Sequence, residues 1–312
     1  MKLYVALTTC KNKELLKPLE DNCKVVLNST GHRPTKSELK ELVKEYNGII
    51  IGRLEIIDKD VLKESKLKFI GVLAKGLNNI DLEEVKKKNI ALFHTPDANI
   101  SSVAEHTMAL ILALSKNLIR LDRSVREGKF NSLRHSTFDV KDKVLGIVGA
   151  GPVAREVVRR AVSFEMKVIC YTPHPQKHKD FDVDFVPLET LLKDSDFVSL
   201  HIPLSEETEN TINESEFELM KPTAFLVNTS RGKIVNEDAL VEALKNHKIA
   251  GAGVDVFREE PMPNKELFKL DNVILTPHVA GVSKESIERM EAHLVEDIIS
   301  FLENKQPKYR VV

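Results

Sequence analysis

The chain has 312 residues, 42% of them hydrophobic and 30% charged, and a formal net charge of −1. This is the composition of an ordinary globular protein with room for two cores, and its balanced charge argues against nucleic acid or a membrane surface as partner. Three cysteines (Cys10, Cys23 and Cys170) with no CxxC pair exclude a disulfide framework and a zinc site. The N-terminal stretch MKLYVALTTCKNKELL lacks the apolar core and cleavage site of a leader. The longest apolar run, Met108 to Leu114, is too short to span a bilayer. A cytoplasmic protein is expected.

In chain order, Leu3 to Thr9 has the pattern of a strand and Lys11 to Asn22 that of a helix, despite Pro18. A short strand VVLN follows, and Thr35-x-x-Glu38 makes a capping box that opens a helix to Tyr46. Gly48 to Gly52, Leu67 to Leu73 and Ile90 to His94 read as strands, with helices over Asp58 to Ser65 and Asp81 to Lys88 between them. Strands alternating with helices imply a parallel sheet covered on both faces. A second capping box, Ser102-x-x-Glu105, opens a long apolar helix from Val103 to about Arg126. Its first half, TMALILAL, has no polar face, which suits a helix buried all round or set at an interface.

The βα alternation then resumes around VLGIVGAGPVAREVVRR, Val144 to Arg160. An apolar strand ends in Gly149-Ala150-Gly151 and runs into a helix. Such a turn brings bare N–H groups and the positive end of a helix dipole to a phosphate, the cradle of a dinucleotide. The third glycine of that pattern is Ala154 here, and Pro152 removes one N–H, leaving Val153 and Ala154 to donate. Strands follow at Lys167 to Tyr171, Phe197 to Ile202, Ala224 to Ser230, Gly251 to Phe257 and Asn272 to His278. Helices are expected at Leu188 to Asp194, Asn213 to Met220 and Glu237 to Asn246. A last amphipathic helix, Ser283 to about Asn304, is placed to pack back on the first domain.

Three side chains with useful chemistry fall at the carboxyl ends of these strands, where parallel sheets bind ligands. Arg231 ends NTSR, and a guanidinium fork fits a planar carboxylate. His278 ends ILTPH, and an imidazole can exchange a hydroxyl proton. Glu260 lies in DVFREEP, and a carboxylate beside an imidazole favours its charged form and fixes its orientation. Alone, each has a plainer reading as a surface ion pair, a packed histidine or a solvated charge. Together, after a dinucleotide turn, they have the composition of a hydride-transfer site for a hydroxy acid.

The chain resembles the D-isomer-specific 2-hydroxyacid dehydrogenase family over essentially its whole length. The resemblance is carried by GLNNIDLEEVKKKNIALFHTPDANISSVAEHTMALILAL, VLGIVGAGPVA, SLHIPLSEETENTIN, MKPTAFLVNTSRGKIVNEDALVEAL, IAGAGVDVFREEPMP and NVILTPHVAG, and by the spacing of the trio. It implies an α/β protein of two Rossmann- or flavodoxin-like domains with parallel sheets. The substrate domain would comprise 1–98 and 284–312, with the dinucleotide domain, 99–283, inserted into it. It implies Arg231 as substrate anchor, His278 as acid/base and Glu260, rather than Glu259, as the histidine's partner. Substrate contacts implied are Ala74, Lys75, Gly76, Asn99 and Arg231. Implied cofactor contacts are Thr107, Gly149, Gly151, Pro152, Val153, Thr172, Pro203, Thr208, Thr229, Gly281 and Asp255, the last accepting from the nicotinamide carboxamide. The family's usual assembly is a homodimer, a role that the helix after Ser102 fits.

Two positions depart from the family pattern. Enzymes that use NAD(H) place an acid after the second strand of the nucleotide fold, which repels a 2′-phosphate. Thr172 stands there, followed by His174, Lys177 and His178. NAD(H) or NADP(H) is therefore expected, with the balance toward NADP(H). In the substrate loop, Lys75 occupies a position that is commonly small or apolar. An ammonium there suits a substrate with extra negative charge, and a lysine at this position is a feature of phosphite dehydrogenases. The activity expected is interconversion of a small 2-oxo acid and a D-2-hydroxy acid. Phosphite oxidation is the alternative, and a nucleotide-sensing, co-repressor-like binding protein is a more distant one.

Overall fold

The computed structural model describes residues 1–7, 13–131, 133, 135–261 and 264–312. Thr8 to Asn12, into which the sequence extends the first strand and helix and which include Cys10, lie outside the described residues. The chain divides into two compact units, Met1–Asn99 with Ser283–Val312, and Ile100–Val282.

The first unit runs β1 (Lys2–Val5), α1 (Lys13–Glu20), β2 (Lys24–Leu27), α2 (Lys36–Glu45), β3 (Gly48–Ile51), α3 (Lys59–Leu62), β4 (Phe69–Val72), α4 (Leu82–Lys87) and β5 (Ala91–Phe93). The capping box at Thr35 is present: Glu38 N donates to Thr35 Oγ1, and Thr35 N donates to Glu38 Oε2. All strands are parallel, in the order β2-β1-β3-β4-β5, the flavodoxin-like doubly wound order. Alternate residues feed two cores. Tyr4, Ile49, Ile51 and Ile70 enter one, and Leu3, Ile50, Phe69 and Phe93 the other.

The second unit runs α5 (Ile100–Ser115), α6 (Leu118–Arg126), β6 (Val144–Val148), α7 (Pro152–Ser163), β7 (Lys167–Tyr171), β8 (Asp184–Phe185), α8 (Leu188–Asp194), β9 (Phe197–Leu200), α9 (Glu214–Leu219), β10 (Phe225–Asn228), α10 (Glu237–Lys245), β11 (Gly251–Val254) and β12 (Val273–Leu275). Its parallel sheet has the order β12-β11-β10-β9-β6-β7-β8. From β6 the chain winds outward to β8, returns to β9 on the other side and winds out again. This is the Rossmann order, with its switch point between β6 and β9. The chain then returns to the first unit as α11 (Lys284–Leu302). Leu294 and Ile298 of α11 press on β4 at Gly71, where a Cβ would lie 3.1 Å from both Leu294 methyls.

The long helix expected after Ser102 is corrected in two ways. It begins at Ile100, so Ser102 is its third residue rather than its cap. It also breaks after Ser115: Asn117 takes φ 48° and ψ 35°, and a separate helix, α6, follows. Asn tolerates this left-handed conformation better than most side chains, and its Nδ2 donates to Ser136 Oγ at 2.8 Å. α5 itself buries eight of its sixteen residues and exposes Glu105 and Ala109, so it is not buried all round. Ala104, Met108, Ile111 and Leu114 are buried in a core shared with β6 and α7.

Candidate active site

The glycine turn is the first part of the site. Gly149 has φ 110°, and a Cβ there would stand 2.6 Å from the His201 carbonyl oxygen. Its glycine is thus demanded by the protein's own backbone. Gly151, the N-cap of α7, is different: a Cβ there would meet nothing within 4 Å. The first intrahelical bond of α7 runs from Arg155 N to Gly151 O, so the N–H groups of Val153 and Ala154 point out of the helix start. With Pro152 at the first helical position, this is an anion cradle that fits a dinucleotide pyrophosphate.

Thr172 follows β7 at the same edge, and His174 N donates to its hydroxyl at 3.4 Å. His174 and Lys177 are exposed beside it. The neighbouring acid, Asp180, is engaged bidentately by Arg155 at 2.9 and 3.0 Å. After β9, Thr208 donates to Pro203 O at 2.7 Å and accepts from Ser205 N, closing a compact 203–208 loop.

The trio comes from the ends of β10, β11 and β12, which are neighbours in the sheet. Asn228, 1% exposed, shapes the turn after β10. Its Oδ1 accepts from Ser230 N, and its Nδ2 donates to Arg231 O. The Arg231 Nη1 donates to Ser230 O at 2.7 Å. Gly232 brings this turn against the next loop, since a Cβ there would lie 1.9 Å from the Phe257 carbonyl carbon. That next loop carries Glu260, whose carboxylate accepts from Phe257 N at 3.3 Å. Glu237, 6% exposed at the start of α10, staples the loop by accepting from Arg258 N and Asn264 N, both at 2.9 Å. Glu260 reaches His278, with Nδ1 at 2.7 and 2.8 Å from the two carboxylate oxygens. The side chains of the pair are about a quarter exposed, at 26% and 25%. This fixes the ring by Nδ1 and assigns Nε2 to any proton exchange.

His278 has φ 52°, a conformation that costs a side-chain-bearing residue on the order of 1–3 kcal/mol. The turn around it is held by Asp255, which is wholly buried. Asp255 accepts from Thr276 Oγ1 at 2.6 Å and from Val279 N and Ala280 N at 2.9 Å. Leaving such buried donors unpaired costs about 1–3 kcal/mol each. Gly281 continues this segment. Thr107 and Thr229 meet hydroxyl to hydroxyl at 2.9 Å, both buried, and Thr107 donates to Val103 O. Thr229 is therefore the donor in that pair.

The remaining expected site residues belong to the first unit. Ala74 O accepts from Thr95 N at 3.2 Å, and Lys75 O lies 3.1 Å from His94 Nδ1. Lys75 is exposed, while Ala74, Gly76 and Asn99 are half-buried. Three residues of the second unit's site go unannounced in the sequence reading: Asn228, Glu237 and His106. Glu237 looks like an ordinary acid in the first turn of a helix, and only its burial marks it out.

The chain as a whole is similar to known proteins. Residues 108–280 match the family model described as D-isomer specific 2-hydroxyacid dehydrogenase, NAD binding domain. The chain belongs to the D-isomer-specific 2-hydroxyacid dehydrogenase family. A glyoxylate reductase of Thermococcus litoralis is 38% identical over 317 aligned positions, covering 98% of this chain and 96% of its own. The TT0316 protein of Thermus thermophilus superposes with a TM-score of 0.92 at 34% identity, each chain being covered completely. D-lactate dehydrogenase of Aquifex aeolicus, solved with NAD and lactic acid, gives a TM-score of 0.82 at 30% identity over 97% of this chain and 96% of its own. As a D-2-hydroxyacid dehydrogenase, the protein is an oxidoreductase that uses a nicotinamide cofactor and interconverts 2-oxo and 2-hydroxy acids. Among the described residues, no helix is long and apolar enough to cross a membrane.

Proposed function

We propose that the protein converts a small 2-oxo acid to its D-2-hydroxy acid, and back, with His278 as acid/base, Glu260 as its partner and Arg231 as substrate anchor. The observation that carries this reading is the 2.7 Å contact between His278 Nδ1 and Glu260, made between the segments that follow β12 and β11, with the Arg231 turn following β10, the strand next to β11. When bound, the nicotinamide supplies or receives the hydride. Arg231 holds the substrate carboxylate as a fork, which fixes the orientation of the neighbouring carbonyl. His278 gives a proton to the carbonyl oxygen during reduction and takes it back during oxidation. Glu260 stabilises the charged imidazole from the Nδ1 side, so the proton to be transferred sits on Nε2.

Gly149, Gly151, Pro152, Val153, Thr172, Pro203, Thr208, Thr229, Gly281, Thr107 and Asp255 are proposed to line the dinucleotide. Thr107 and Asp255 would do so from beneath, since both side chains are buried. NADP(H) is favoured over NAD(H), because Thr172 cannot repel a 2′-phosphate and His174 and Lys177 stand exposed beside it. Ala74, Lys75, Gly76 and Asn99 enter as substrate contacts through the family resemblance. The assembly proposed is a homodimer. It is supported by Leu118, Ile119, Val125 and Phe130, which are 50–70% exposed on and after α6.

The test follows oxidation of NADH and NADPH with glyoxylate, hydroxypyruvate, pyruvate and longer 2-oxo acids, with phosphite oxidation as a separate arm. Turnover of a 2-oxo acid is expected, with the higher kcat/KM for NADPH. His278→Asn should lower kcat by about a hundredfold or more while cofactor affinity is kept. Unchanged kcat would remove His278 from this role.

A further inference from the structure

His106 lies on α5 one residue before Thr107 and takes no part in the proposed proton exchange. Its Nε2 is 3.1 Å from Thr276 Oγ1 and 3.7 Å from Asp255 Oδ1. The Thr276 hydroxyl donates to Asp255 Oδ1 at 2.6 Å. A hydroxyl has one proton. With that proton directed at the carboxylate, Thr276 Oγ1 can meet His106 only as an acceptor. Donation therefore runs from His106 Nε2 to Thr276 to Asp255, and His106 carries a proton on Nε2.

The end point of this chain is the carboxylate that also binds Val279 N and Ala280 N. Residues on both sides of His278 are thus fastened to one buried group: Thr276 two positions before it, and Val279 and Ala280 directly after. Between them His278 sits at φ 52°, a conformation that persists only where the surroundings impose it. A small relaxation there swings the imidazole away from Glu260.

We propose that His106 is a positioning residue for His278: through Thr276 and Asp255 it holds the left-handed turn that sets the His278 ring against Glu260. The inference rests on the reading of His278 as acid/base. His106 makes no contact with the reacting atoms in this scheme. It anchors, from α5, the turn at the end of β12.

The experiment uses the full chain and compares His106→Leu, which removes the donor, with His106→Gln, which returns an N–H of similar reach. Thr276→Val and Thr276→Ser examine the same chain of bonds if His106→Leu does not fold. Each variant is measured for kcat and KM with the best 2-oxo acid of the wild type, for dinucleotide affinity by fluorescence titration and for thermal midpoint. His106→Leu and Thr276→Val should each lower kcat about tenfold with KM and dinucleotide affinity kept, and His106→Gln and Thr276→Ser should recover most of it. Wild-type kcat in the apolar variants overturns the proposal, as does a loss confined to KM, dinucleotide affinity or thermal midpoint. So does failure of the conservative variants to recover kcat. A wild type that turns over no 2-oxo acid at all overturns the acid/base reading itself and this inference with it.

Discussion

His201 stands beneath the glycine turn, its carbonyl against Gly149 and its Nε2 2.9 Å from Ser199 Oγ. Burial pushes its imidazole down from the usual 6.5 to about 4. The folded state therefore resists a proton that the unfolded chain accepts near pH 6.5. Stability is complete above that value, falls as the pH drops toward 4 and levels off below it. Denaturant midpoints between pH 7 and pH 4 should fall more steeply for the wild type than for His201→Gln, and equal slopes would refute the assignment. Single residues differ in how openly the sequence shows them. Arg231 and His278 are legible as candidates because each lies three residues past the end of an apolar strand. His106 and Glu237 are not, because their partners lie in distant segments: His106 meets Thr276 170 positions along the chain. The N–H groups of Arg258 and Asn264 that meet Glu237 are 21 and 27 positions away, and no local pattern records them.

The turn between β6 and α7 carries Gly149 and Gly151. Its two glycines serve different masters. Gly149→Ala meets the His201 carbonyl and a positive φ, so it should lower the thermal midpoint, the φ alone costing roughly 1–2 kcal/mol. Gly151→Ala meets open space and should leave the midpoint nearly unchanged while weakening the dinucleotide about tenfold or more, since the methyl intrudes where a phosphate approaches. Melting curves with and without dinucleotide separate the two, and equal behaviour of both variants would contradict the distinction. Most elements were legible from periodicity, and β7 and α8 begin and end where the sequence places them. The failures have local causes. Asn117 breaks the long helix by taking a conformation that its neighbours cannot easily share. β8, two residues long at the sheet edge, is too short to leave any alternation. The Ser102 pattern copied a capping box within the first turn of a helix that had already begun.

At the scale of the whole molecule, the sequence conveys two α/β units through its alternating strands and helices, but strand order is a property of winding that no single segment encodes. The exposed apolar side chains of α6 and the segment after it bear on the proposed assembly. Ile119, Arg120, Arg123, Phe138 and Leu270 border a groove of about 200 Å³, and Phe130 is 70% exposed. Ile119→Asp with Phe130→Asp should convert a dimer to monomers in sedimentation measurements, with the thermal midpoint falling as the association is lost. A wild type that sediments as a monomer would remove the proposed assembly.

The return of the chain through α11 has a consequence for synthesis. The five-stranded sheet leaves the ribosome early, but one of its faces waits for Leu294 and Ile298, and β5 waits for the bond from Val311 N to Leu92 O. The inserted Rossmann unit has all its strands before either arrives. On a ribosome that releases the chain at about 5–20 residues per second, the nucleotide-binding half finishes folding first, and the half that begins the protein is the last to become protease-resistant. Pulse proteolysis of stalled nascent chains should show that order.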